Sequence, residues 1–102
     1  MPGARAAEVD AAARASLASS GFGGGYEHLT HRLGHGIGLD GHERPYLVAG
    51  DPTVIEPGMA FSIEPGIYLP GQWGMRIEDI VVATPDGVER LNTTSRSLRV
   101  VS

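Results

Sequence analysis

Glycine and proline restrict this chain more than any other feature. Its 102 residues include 15 Gly and 7 Pro. Glycine loses the most freedom inside a helix, and proline removes a backbone donor. An all-helical bundle is therefore excluded, and a turn-rich fold is expected. One stretch escapes the interruptions. Ala6–Ser20 reads AAEVDAAARASLASS and is rich in the best helix former. It predicts a helix over about residues 5–20. Val9, Ala13 and Leu17 recur every fourth residue and would share the apolar face, with Ala6, Glu8, Asp10 and Arg14 elsewhere. Gly21 is the stop signal, and Gly21–Gly25 reads as a flexible loop.

From residue 26 onward the pattern is β-rich. Met59–Glu64 alternates, with Met59, Phe61 and Ile63 on one face and Ala60, Ser62 and Glu64 on the other. Gly66–Leu69 reads as a second strand that ends in a Pro70-Gly71 turn. Met75–Thr84 reads as a third. Pro85-Asp86-Gly87 is a tight turn, with Val88–Leu91 returning as the far side of a hairpin. Leu98–Val101 reads as a last strand. The expectation is a single α+β domain over 1–102.

Composition removes several functions. Hydrophobic residues make up 41% and charged residues 20%, which suits a globular chain. The formal net charge is -4 and no basic stripe is present, so nucleic acid is not the expected partner. No apolar run reaches the length of a membrane span. The first residues lack the apolar stretch of a secretory signal, so a cytoplasmic location is expected. The chain has no Cys, which excludes disulfides, Cys-bound zinc and thiol catalysis.

The four histidines cluster at His28, His31, His35 and His42. Around them Gly34, Gly36 and Gly38 alternate with side chains. An extended segment of this kind has one face of bare backbone, open to close approach by a strand, a substrate or a metal. The glycine spacing is not that of a dinucleotide fingerprint, and Gly41 and Pro45 block a following helix. His31 and His35 have the i, i+4 spacing of helical zinc proteases. Position 32 is Arg, however, and the glycines disfavour a helix. Two carboxylates also occupy unusual settings. Glu64 closes an apolar strand, and Glu78 sits within Met75–Val82 on the face that a strand would give Arg76, opposite Asp79. Either Arg76 and Glu78 form a structural ion pair or a solvated face, or imidazole and carboxylates form a metal site. That donor set favours Mn, Co, Fe or Zn.

The segments GHGIGLDGHERPYL (34–47) and IEPGMAFSIEPGIYLPGQWGMRIEDIVV (55–82) resemble the C-terminal half of the pita-bread catalytic domain of M24 metallopeptidases. The branch resembled is that of Xaa-Pro dipeptidase and aminopeptidase P. GARAAEVDAAAR (3–14) is similar to the helix that precedes those motifs. The resemblance implies a truncated pita-bread half domain, with one N-terminal helix packed on a curved, mainly antiparallel sheet. It implies that His35, Glu64 and Glu78 are metal ligands, with Glu78 bridging. It gives His31 and His42 substrate-binding and transition-state roles, and Arg76 the task of orienting Glu78. His28 matches no functional position. The implied cofactor is a pair of divalent ions, manganese first, with Co, Zn or Fe as alternatives. The implied substrate is a peptide with proline after the scissile bond.

Family members draw two further aspartate ligands from strands upstream of the histidines. Here the only upstream aspartate is Asp10, on the expected helix. Three expectations follow. A homodimer imitates the full domain through the face that normally meets the N-terminal half. Alternatively, the chain is an inactive protein that binds metal or a Pro-containing peptide. In the third case it is one piece of a split peptidase whose partner supplies the aspartates.

Overall fold

The computed structural model describes residues 3–22, 28–93 and 95–98. The strand expected over Leu98–Val101 and most of the Gly21–Gly25 loop fall outside these residues. Helix α1 spans Ala6–Ser19, and Gly21 follows it at a φ of 89° that favours glycine. Seven strands follow among the described residues: β1 Gly34–Gly36, β2 Glu43–Leu47, β3 Ala60–Ile63, β4 Gly66–Leu69, β5 Trp73–Arg76, β6 Asp79–Thr84 and β7 Gly87–Arg90. Five form one antiparallel sheet in the order β2-β1-β3-β6-β7, and β4 pairs with β5 in a separate ribbon. No helix among the described residues is long and apolar enough to cross a membrane.

The alternation read in Met59–Glu64 holds. Phe61 is fully buried in a core with Ala6, Leu33, Leu47, Ile55, Val81 and Ala83, and Met59 and Ile63 pack against it. Burying each large side chain there contributes about 1.5–3 kcal/mol. Pro45 sits in β2, the edge strand, where a missing N–H is tolerated. The Pro85-Asp86 turn closes the β6–β7 hairpin, with Thr84 opposite Gly87.

Two expectations need correction. The helix does not bury the Val9–Ala13–Leu17 stripe most deeply. Its buried residues are Ala6, Asp10 and Arg14, while Val9 and Ala13 flank the core. The charges tolerate burial because they neutralise each other, with Arg14 Nε 2.7 Å from Asp10 Oδ2. Met75–Thr84 is also not one strand. β5 pairs with β4 and β6 with β3, so the chain changes sheets between them. Ile77 and Glu78 belong to neither strand, and the Ile77 N–H donates to the Pro65 carbonyl.

Candidate metal centre

The change of sheets builds the site. The main sheet ends on the pair Ile63–Asp79, and the ribbon begins on Gly66–Arg76. Glu64 and Glu78 lie in the joint between these two ladders. Strand geometry would have alternated their side chains with their neighbours'. Outside it, the two carboxyl groups are electrostatic neighbours. Burial and the neighbouring Glu64 charge hold the Glu78 carboxyl above its usual range, while Arg76 and His35 pull it down less strongly. The Glu78 residue as a whole is exposed, so its desolvation is local to the side facing Glu64.

β1 brings His35 to the same place. It lies between β2 and β3, where only glycine fits at its neighbours. A Cβ on Gly34 would stand 1.9 Å from the Ser62 carbonyl oxygen, and one on Gly36 2.2 Å from that of Arg44. The bare face is therefore filled by neighbouring backbone rather than by a ligand. The His35 N–H donates to Ser62 Oγ at 3.0 Å. Its imidazole Nδ1 lies 3.0 Å from the Gly36 carbonyl, which can only accept, so Nδ1 carries the proton. That leaves Nε2 facing Glu64 Oε2 at 3.4 Å.

This geometry makes a fit test for a cation. Glu64 Oε2 is buried without a hydrogen bond, and His35 Nε2 faces it at 3.4 Å. A carboxylate oxygen and an imidazole nitrogen at this separation are donor types that suit a divalent ion between them. Glu78 adds a third oxygen donor through its proximity to Glu64. The donors fit in kind and neighbourhood but do not close. Among the described residues no three His, Asp or Glu side chains converge into a ready ligand set.

His31, His35, His42, Glu64 and Arg76 line one cavity of about 460 Å³, together with Arg32 and Val48. That volume falls in the range of small-molecule sites. The His42 ring stacks on His35 with centroids 4.2 Å apart. Both His31 nitrogens are engaged, Nδ1 with the Arg32 carbonyl at 2.6 Å and Nε2 with the Tyr68 hydroxyl at 3.0 Å. Arg76 acts on Glu78 through space, and no ion pair joins them among the described residues. His28 holds structure, its carbonyl accepting from the Tyr68 N–H.

A family model for metallopeptidase family M24 matches residues 1–85. The chain belongs to that family. Within M24 it is 58% identical over 100 residues to "Probable dipeptidase PepE" of Mycobacterium tuberculosis, covering 98% of this chain and 26% of the relative. It is 49% identical over 100 residues to the Xaa-Pro dipeptidase of Lactobacillus delbrueckii, covering 98% and 26%. The crystal structure of dipeptidase PepE from Mycobacterium ulcerans superposes at a TM-score of 0.88 and 57% identity, over 95% of this chain and 25% of that one. The chain thus has a truncated, C-terminal-type part of the pita-bread architecture of the Xaa-Pro dipeptidase branch of M24. It spans about a quarter of the length of the relatives it matches.

Two residues of this M24 site escaped the sequence reading. Tyr68 looked like an ordinary strand residue, and Ser62 like the polar side of an alternating strand. The glycines at 66 and 74 beside Tyr68 were the available signal, since a Cβ at either would meet the Tyr68 ring within 2.9 Å. Ser62→Ala leaves the buried His35 N–H without its partner. It should cost about 1–3 kcal/mol, read by chemical denaturation.

Proposed function

We propose that this chain carries the histidine and glutamate side of a divalent-metal centre in an Xaa-Pro dipeptidase. The observation that carries the reading is Glu64 Oε2, buried without a hydrogen bond and faced by His35 Nε2. His35, Glu64 and Glu78 would hold the ion, with manganese the first candidate for an imidazole and carboxylate set. When bound, such an ion activates water and polarises the scissile carbonyl.

The chain's own residues supply the rest. The cavity takes a small peptide beside Glu64. His42 is exposed and its nitrogens are uncommitted among the described residues, so it donates to the peptide oxygen. His31 meets the cavity with its ring held by Tyr68, and bonds a substrate only by releasing that hydroxyl. Arg76 offsets part of the push of Glu64 on Glu78. The test is hydrolysis of an Xaa-Pro dipeptide with added Mn²⁺, compared with Glu64→Ala. Turnover that needs the metal and is lost in the variant supports the reading. Turnover that survives in Glu64→Ala refutes it.

The open ligand set supports a second element of the proposal. The centre is completed from outside the described residues, and we propose a second copy of this chain as the source. Trp73 and Met75, each about half exposed, lie on β5, whose pairing with β4 leaves its other edge open. An open apolar edge of this kind favours association. Sedimentation at micromolar concentration should show a dimer. A monomer would shift the completing role to another chain or to a longer form of this one.

A further inference from the structure

The buried pair on α1 is engaged well beyond itself. The Arg14 guanidinium meets the Asp10 carboxylate with Nε at 2.7 Å and Nη2 at 3.1 Å. Its remaining donors reach out of the helix, Nη1 to the Leu29 carbonyl and Nη2 to the His31 carbonyl at 2.6 Å. Asp10 Oδ1 accepts the Leu33 N–H at 3.0 Å, a donor it shares with the Leu47 carbonyl at 2.8 Å. The pair therefore binds alternate residues of the segment 29–33, as a neighbouring strand would.

The other side of that segment leads into the site. The Leu33 carbonyl accepts the Glu64 N–H at 2.8 Å. The Asp10 carboxylate is thus joined through one residue to the backbone of Glu64. On the same segment Arg14 fixes the His31 backbone, and Tyr68 fixes the His31 ring. An i, i+4 ion pair on a surface helix contributes little. Here both charges are almost fully buried, and their bonds beyond the pair reach Leu29, His31 and Leu33, of which His31 lines the cavity.

We infer that Asp10 and Arg14 are positioning residues, which set His31 and Glu64 relative to each other from the far side of the core. The inference rests on the reading of those two residues as site residues. Its mechanism is geometric. The guanidinium is a rigid planar fork, so the carboxylate and the two carbonyls are held at fixed angles. A lysine keeps the charge but presents a single point, and cannot hold all three.

The test is nitrogen NMR of the His31 imidazole, with proton exchange at the Glu64 amide, in the metal-free chain. Neither readout needs metal or turnover, so failure of the peptidase reading leaves both intact. Tyr68→Phe supplies the reference signature of a His31 ring without its hydroxyl partner. In Arg14→Lys, with helix content retained, His31 Nε2 should move toward that reference. The Glu64 amide should exchange at least about 10-fold faster. A folded Arg14→Lys with both signals unchanged overturns the inference. If that variant does not fold, Asp10→Asn replaces it, with the same expected and overturning results. Should neither fold, the unaltered chain decides. There the Arg14 Nε–H must exchange at least about 100-fold more slowly than that of Arg90, and equal rates overturn the inference.

Discussion

Gly34→Ala should cost this chain upwards of about 3 kcal/mol, beyond the usual range for overpacking. The added Cβ would stand 1.9 Å from the Ser62 carbonyl oxygen and 3.0 Å from its hydroxyl. Both belong to β3, which β6 holds on its other side. Neither strand can retreat without breaking the ladder that buries Phe61 and Val81. The loss is a large share of the total stability expected for a domain of this size, about 5–15 kcal/mol. Gly41→Ala is the control. Nothing lies within 4 Å of its added Cβ, and its backbone does not require glycine. Urea denaturation of both variants should separate them by most of the Gly34 penalty. Equal midpoints would mean that β1 does not sit between β2 and β3 as described.

The parts of the fold legible in the sequence were those whose signals are local. The alternation of Met59–Glu64, the strand Gly66–Leu69 and the turn at Pro85-Asp86-Gly87 all appear where the pattern placed them. The break at Ile77–Glu78 was not legible. Alternation runs through those residues unchanged, and the break arises from the partners that β5 and β6 choose at a distance. Strand β2 was hidden by Pro45, which only an edge position permits. The burial of Asp10 and Arg14 was hidden for another reason. Opposite charges four apart on a helix read as a solvated surface pair. Beside their mutual neutralisation, the carbonyls of Leu29 and His31, brought in by tertiary packing, help make burial tolerable.

The site was legible as chemistry but not as geometry. Glycine alternation around His35 and two carboxylates in apolar strands indicated a special place, and the resemblance to M24 enzymes supplied the roles. The sequence could not show that Glu64 and Glu78 meet because both leave their ladders at one joint. Nor could it show that Arg76 fails to neutralise Glu78. The readings of Glu78, structural ion pair, solvated face or cation ligand, therefore separate on the energetics of its charge.

Glu78→Gln should raise the stability of the metal-free chain at neutral pH while lowering its Mn²⁺ affinity at least about 100-fold. The signs follow from the raised carboxyl pKa, whose ordinary value is 4.5. The folded chain holds the Glu78 proton more tightly than the unfolded chain does. Its contribution to stability is complete below about pH 4.5 and is lost as the pH rises through the higher folded value. At pH 7 the charged form is the less stable one, pressed against Glu64 with local desolvation. Glutamine removes that repulsion. A cation reverses the preference, because it competes with protonation of Glu78 and gains from both negative charges. Mn²⁺ affinity of the unaltered chain should therefore rise with pH across the window in which metal-free stability falls. Thermal melts from pH 4 to 8, with and without Mn²⁺, read both effects. A structural ion pair with Arg76 predicts the opposite sign, with Glu78→Gln melting lower at pH 7 and Mn²⁺ binding unchanged. Two carboxyl groups placed to repel are costly to the metal-free fold. That cost is offset only when a cation enters, so the melting curves test the function as directly as turnover does.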